Sequence, residues 1–196
     1  MPTVQEICSA IATHQPNELP DSEGLKRAAV AAVLRDGEAS AELLFIHRAE
    51  DPRDPWSGHM AFPGGRVDPE DEGALAAALR ETREEVGLDL EADGEFIGRL
   101  SDVPAVGRGR PLNMVITPFV FSIEELPLLM PNHEVEVVVW VPIAFLADRS
   151  NRSTFPYRRY GLCLELPSYQ FGEHLIWGLT FGMVDELLSI IAPESE

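Results

Sequence analysis

Val4, Ile7, Cys8 and Ile11 recur at helical spacing and predict a short amphipathic helix over residues 3 to 13, ended before Pro16 and Pro20. The apolar run from Arg27 to Arg35, the Asp36-Gly37 turn signal and the run from Ala41 to His47 predict two joined strands. Residues 50–59 are too rich in Pro, Gly and Asp for regular structure, and residues 61–73 compress a short strand, a Gly-Gly turn and a polar loop. Leu75, Ala78, Leu79 and Val86 then fall largely on one face of a helix over residues 74–86, with Gly87 as its stop. Residues 95–103, 113–123 and 134–143 are strand candidates rich in Val, Ile and Phe, and residues 142–148 suggest one or two helical turns. A hairpin is expected over 154–166 around Gly161, followed by a closing helix carrying Leu179, Val184, Leu187, Leu188 and Ile191. Strands precede, interrupt and follow helices without a βαβ rhythm, which favours an α+β fold over a doubly wound sheet. Residues 1–24 are expected to form a helical appendage to one domain over residues 25–196.

Composition narrows the functional classes. The chain has 33 Asp and Glu against 15 Lys and Arg, a formal net charge of -18, and Lys26 is its one lysine. Phosphate neutralisation needs clustered cations, so neither a nucleic acid nor an anionic membrane surface is expected as a partner. The N-terminal residues lack the basic and apolar regions of a secretory signal, so a cytoplasmic location is expected. Cys8 and Cys163 form no CxxC pair, which fits free thiols and points any metal towards oxygen ligands. The N-terminal helix and C-terminal segment offer contact surfaces for a homodimer.

The chemistry concentrates in Arg80-Glu81-Thr82-Arg83-Glu84-Glu85-Val86-Gly87. On a helix Glu81 shares a side with Glu84 and Glu85, and like charges at that spacing cost roughly 0.2–0.5 kcal/mol per pair. The cluster needs compensation from arginine, solvent or a cation, and a hard divalent ion is the cation that carboxylates take. The plain alternative is a solvated charged helix. Upstream, FPGGRVDPED supplies a glycine turn that permits close backbone approach. Together these residues resemble the Nudix hydrolase signature of glycine, five residues, glutamate, seven residues, then R-E-U-x-E-E-x-G-U, where U is bulky and apolar. Arg80, Glu81, Glu84, Glu85, Gly87 and Leu88 match it. Thr82 departs at a U position, and the spacing runs one residue long, so either Asp71 or Glu72 supplies the leading acid.

The resemblance implies an α/β/α sandwich around a mixed sheet and hydrolysis of a nucleoside diphosphate linked to another group. It assigns Glu81, Glu84, Glu85 and the Gly65 carbonyl to Mg2+ or Mn2+, with Arg80 orienting the cluster. Glu84 and Glu81 also count as catalytic, because family members use either a carboxylate of this helix or one from a later loop as general base. Glu134 is the leading late candidate; Glu136 shares its strand face, and both can equally be solvent-facing. LLFIHRAEDPRDPWSGHMAFPGG and IWGLTFGMVDELL narrow the likeness to the coenzyme A pyrophosphatase branch, which would release 3′,5′-ADP and 4′-phosphopantetheine. Trp56 stands near a position where that branch carries histidine. ADP-ribose or a nucleotide sugar is the second substrate reading, and a nucleotide-binding module without catalysis the third.

An anionic substrate must be met by local cations, for which Arg48, Arg53, Arg66, Arg108 and Arg110 are the candidates. Arg108 and Arg110 belong to VGRGRP, read as a glycine-spaced loop, and plain exposure explains them equally well. His59 is read as a turn residue before a substrate contact, Trp56 either as a base-stacking ring or as loop filling. Trp140, Trp177, Phe119 and Phe121 are assigned to the core.

Overall fold

β1 (Lys26–Asp36) has apolar side chains on both faces, the pattern of a strand buried between two layers. Ala28, Ala32 and Leu34 enter one hydrophobic cluster and Ala29, Ala31 and Val33 a second, as the two-residue period of a strand requires. The computed structural model describes residues 2–107, 110–125, 127–159 and 161–192. β1 pairs in parallel with β7 (Arg110–Ile123), from Lys26 opposite Met114 to Arg35 opposite Ile123. It pairs antiparallel with β2 (Ala41–Arg48) and with β4 (Gly64–Arg66). β3 (Met60–Ala61) and β8 (Val135–Pro142) join β2, while β5 (Gly94–Arg99) and β6 (Val103–Gly107) join β7. The result is an eight-stranded mixed sheet.

Helices cover both faces. α2 (Ala74–Val86) buries Ala77, Ala78 and Val86 in the second cluster. α1 (Val4–Thr13) and α4 (Gly178–Ile191) bury Ile7, Ile11, Phe181, Met183, Val184 and Leu187 in the first. A short α3 (Ile143–Ala147) follows β8. Beside this body, β9 (Arg152–Arg159), β10 (Leu162–Phe171) and β11 (His174–Trp177) form a three-stranded antiparallel sheet. The architecture is the expected α+β sandwich around a mixed sheet.

Several local features differ from the sequence reading. The helix expected as an appendage is built into the body, since Ile7 and Ile11 are fully buried and each such side chain contributes about 1.5–3 kcal/mol. The strand expected over 95–103 breaks after Arg99, because Asp102 turns inward. Its buried carboxylate accepts from Thr117 Oγ1 at 2.7 Å, the Leu19 N–H at 2.9 Å and Arg27 Nη1 at 3.0 Å, and also from Arg99. A buried charge is tolerable only with such a set of donors, and collecting them interrupts the ladder. VGRGRP is not a free loop: Val106 and Gly107 end β6, and Arg110 and Pro111 open β7. Arg108 lies outside the described residues. β11, which the sequence reading did not anticipate, pairs with the end of β10 and leads directly into α4.

Candidate active site

The turn before α2 works through two adjacent glycines with different tasks. Gly64, at φ +150°, lies so close to β1 that a Cβ there would sit 2.2 Å from the Ala29 carbonyl oxygen. A Cβ on Gly65 would instead sit 2.3 Å from Glu81 Oε1. One glycine admits a strand and the other admits a carboxylate. α2 ends at Gly87, whose left-handed φ of +73° lets its N–H reach the Arg83 carbonyl at 3.0 Å.

Arg80 gathers the acids of the turn and helix. Its Nε and Nη2 donate to the two oxygens of Asp71 at 3.0 and 2.9 Å, Nη1 to Glu81 Oε1 at 2.9 Å and Nη2 to the Arg66 carbonyl at 3.0 Å. Asp71 therefore stands against the arginine, whereas Glu72 is exposed. The Arg80 hydrogen bonds hold the Asp71 carboxyl below the usual carboxylate range. Thr82, which departs from the signature, is fully buried, and its Oγ1 donates to the Ala78 carbonyl at 2.7 Å. Its methyl then serves as the apolar group of that position while the hydroxyl is satisfied within the helix.

Glu85 is buried to 1% exposure, with Oε2 accepting the Gly64 N–H at 2.8 Å and Oε1 accepting Arg48 Nη1 at 3.3 Å. Burial outweighs both partners and pushes its pKa up to about 7. Burial also raises the Glu81 carboxyl, against the pull of Arg80. Glu84 differs: its side chain is 57% exposed and 3.7 Å from Arg80. Like charges repel at helical spacing, and the three carboxylates are taken up separately by Arg48, by Arg80 and by solvent. Among the described residues, no three His, Cys, Asp or Glu side chains stand close enough together to hold a metal ion in this arrangement. The expected convergence of Glu81, Glu84 and Glu85 is thus not preassembled.

The donor chemistry nonetheless fits a hard divalent ion. Glu81, Glu85, Gly65 and Glu134 line one cavity of about 570 Å³, and Glu84 is one helical turn from Glu81 on the same helix. Glu134 is exposed, and its backbone is fixed by its N–H to Asn132 Oδ1 at 2.8 Å and by its carbonyl accepting from Ala49 at 2.8 Å. Glu136 points elsewhere, 3.1 Å from His47 Nδ1, so the structure separates two acids that strand spacing left equivalent.

The arginines also divide. Arg66 is exposed on the cavity wall. Arg48 lines it too, but its fork is engaged by Asp54 Oδ2 at 2.8 Å as well as by Glu85, so it joins a loop acid to the site helix. Arg53 lines the cavity while pairing with Asp51 at 2.8 Å. Arg110 opens β7 and is not among the described residues that line the cavity. The 50–59 loop is folded on itself: Trp56 N–H donates to Asp54 Oδ1 at 2.9 Å and its indole to the Val106 carbonyl at 3.0 Å.

Of the aromatic residues assigned to the core, Phe119 and Phe121 are there. Trp140 is half-buried, with the Arg35 guanidinium 4.1 Å above its ring. Trp177 is the correction. It is half-buried, lines the cavity and meets the rings of His59, Phe155 and Tyr157 at 4.7, 5.2 and 5.4 Å. Sequence reasoning also missed Asp54, because an acid in an acid-rich loop carries no distinguishing pattern.

A NUDIX domain matches residues 25–159. The chain belongs to the Nudix hydrolase family. It is 32% identical to the human protein named mitochondrial coenzyme A diphosphatase NUDT8 over 170 residues, 85% of this chain and 70% of that one. Against the mouse counterpart the figures are 33% over 140 residues, 69% of this chain and 64% of that one, so this Nudix chain spans about two thirds of these relatives. A Nudix hydrolase named NudL from Cronobacter sakazakii is 32% identical over 94% of this chain and 93% of its own. Among solved structures, a MutT/nudix family protein from Enterococcus faecalis has a TM-score of 0.55 at 18% identity, covering 96% of this chain and 68% of that one. Members of the family generally need a divalent metal, and this chain is a pyrophosphohydrolase. Among the described residues no helix is long and apolar enough to cross a membrane.

Proposed function

We propose that this Nudix hydrolase cleaves the diphosphate of coenzyme A or its thioesters, with Mg2+ or Mn2+, releasing 3′,5′-ADP and 4′-phosphopantetheine. The observation that carries the reading is the likeness to a coenzyme A diphosphatase across 85% of the chain. The site supports it with a carboxylate helix, a glycine turn and cations around one cavity.

Glu81, Glu84, Glu85 and the Gly65 carbonyl would hold the ion. A divalent ion held there would supply charge to neutralise diphosphate oxygens and would lower the pKa of the attacking water. Arg80 ties Glu81 to the turn, and Arg48 ties Glu85 to the 50–59 loop, so each carboxylate is held by its own arginine. Arg66 faces the substrate phosphates, and Glu134 takes the proton of the attacking water.

The deciding experiment compares kcat/KM for coenzyme A, acetyl-coenzyme A, ADP-ribose, NADH and diadenosine polyphosphates, each with Mg2+ and with Mn2+. Coenzyme A or its thioester is expected to lead, with both products identified by mass. A lead for ADP-ribose overturns the substrate, and no cleavage of any compound overturns catalysis in favour of nucleotide binding. A relative named mitochondrial stands against the cytoplasmic expectation, and fractionation of cells expressing the full chain decides the compartment.

A further inference from the structure

The cavity that receives the carboxylates has a second wall of different chemistry. Trp177 ends β11 opposite Ser168, and its neighbour Ile176 is fully buried in the core. The two-residue strand period therefore turns the indole away from the core, towards the cavity. His59, Phe155 and Tyr157 surround it with interplanar angles of 52°, 45° and 39°. Leu179 and Met183 of α4 extend the same wall. Thr180 Oγ1 donates to the Met60 carbonyl at 2.9 Å, which fastens the start of α4, and so the end of β11, to the main sheet. Of these rings Trp177 and His59 line the cavity, while Phe155 and Tyr157 of β9 back the indole, so a half-buried π surface stands beside the carboxylates. Trp177 also lies beyond the segment that matches the family.

We propose that this wall, centred on Trp177 and bordered by His59, is the subsite for the purine base of the substrate. The inference rests on the diphosphate-hydrolase reading and assigns the end of the substrate that lies beyond its phosphates. A base suits the wall on three counts. Its flat π face stacks on tryptophan. It is uncharged, so a protein of net charge -18 does not repel it as it repels further anions. Burial holds the His59 imidazole below its ordinary pKa, and the neutral ring offers one donor and one acceptor to a base edge. A flexible amide tail would instead need polar partners along its length, whereas this wall is mostly ring and aliphatic surface with its polar edge at His59.

The test is calorimetry on the full chain with ADP, inorganic pyrophosphate and 4′-phosphopantetheine, each with Mg2+. Trp177→Ala is expected to weaken ADP by roughly 10- to 100-fold, the range of base stacking on an aromatic ring, and to leave pyrophosphate within about twofold. Trp177→Phe should retain most of the ADP affinity, which separates loss of the ring face from loss of folding. Equal weakening of ADP and pyrophosphate in both variants, or unchanged ADP, overturns the subsite. Selective weakening of 4′-phosphopantetheine also overturns it, by giving the wall to the other half of the substrate. The two readings fail differently: wild-type protein that ignores pyrophosphate sinks the diphosphate site, whereas protein that binds pyrophosphate and ADP equally sinks the base subsite alone.

Discussion

Adding one methyl group at either of two neighbouring glycines should produce opposite failures. In Gly64→Ala the new Cβ meets backbone, 2.2 Å from the Ala29 carbonyl oxygen and 2.5 Å from Val30 Cα, in the left-handed half of conformational space. Backbone cannot rotate aside as a side chain can, so an overpacking cost of about 1–3 kcal/mol adds to a conformational cost of about 1–2 kcal/mol. The expected destabilisation is about 2–5 kcal/mol. For a chain this long that lowers Tm by roughly 4–20 °C. In Gly65→Ala the same atom meets the far end of a glutamate, 2.3 Å from Glu81 Oε1 and 2.8 Å from Oε2. The carboxylate swings away cheaply, so stability should change by less than about 1 kcal/mol. The cost falls on chemistry, because Glu81 leaves its bond to Arg80, and a displacement of this kind costs about 100-fold in turnover. Thermal unfolding and kcat/KM on coenzyme A would be measured for both variants. A Gly65→Ala enzyme with full activity, or one that melts as early as Gly64→Ala, would refute the division of labour between the two glycines.

Glu84→Gln should lower kcat by roughly 100-fold or more while leaving Tm within about 1 °C, because its side chain is exposed and supports no packing; wild-type kcat would remove it from the metal set. Arg48→Lys keeps a charge but loses the fork that spans Asp54 and Glu85, and kcat/KM should fall about 10- to 100-fold; an active lysine variant would show that the bridge is dispensable. Glu134→Gln should lower kcat by roughly 100-fold and Glu136→Gln by far less, since of the two only Glu134 lines the cavity. Asp102→Asn should cost about 3–5 kcal/mol at pH 7, because it strips a buried charge from Arg27 and Arg99. Burial opposes the Asp102 charge, but Thr117, the Leu19 N–H and Arg27 outweigh it and hold its pKa below the ordinary value. Its contribution is therefore complete above about pH 4 and is lost as the pH falls through the depressed value, so the gap between the wild-type and Asp102→Asn unfolding curves should narrow in that window.

What the sequence made legible was periodicity. β1 and β7 are long and strongly apolar, and in α2 Ala78 and Val86 lie in the core as the helical spacing marks them. The breaks were hidden because they depend on tertiary partners. Nothing local marks Asp102 as a strand terminator; it becomes one only because Asn17, Leu19, Arg27 and Thr117 converge on it from elsewhere in the chain. Parallel pairing of β1 with β7 was hidden for the same reason, since the apolar stretches of both strands carry no mark of direction.

The site shows the same boundary at finer scale. Helical spacing put Glu81, Glu84 and Glu85 near one another, and chain spacing left Asp71 and Glu72 undecided; a single guanidinium decided it, because the Arg80 fork fits both oxygens of one carboxylate at 2.9–3.0 Å. Spacing could not show that the three glutamates would occupy three environments, one buried, one half-shielded and one in solvent. That inequality follows from what faces each helical position: Gly64 and Arg48 over Glu85, Arg80 over Glu81, and water over Glu84. It also makes the three carboxylates unequal as ligands: for a cation held by this helix, Glu84 would be the exposed ligand that costs least to desolvate and Glu85 the one already dehydrated. Turnover in Glu84→Gln should then be restored in part by raising the metal concentration, whereas loss of Glu85 should not be rescued at any concentration that leaves the protein folded.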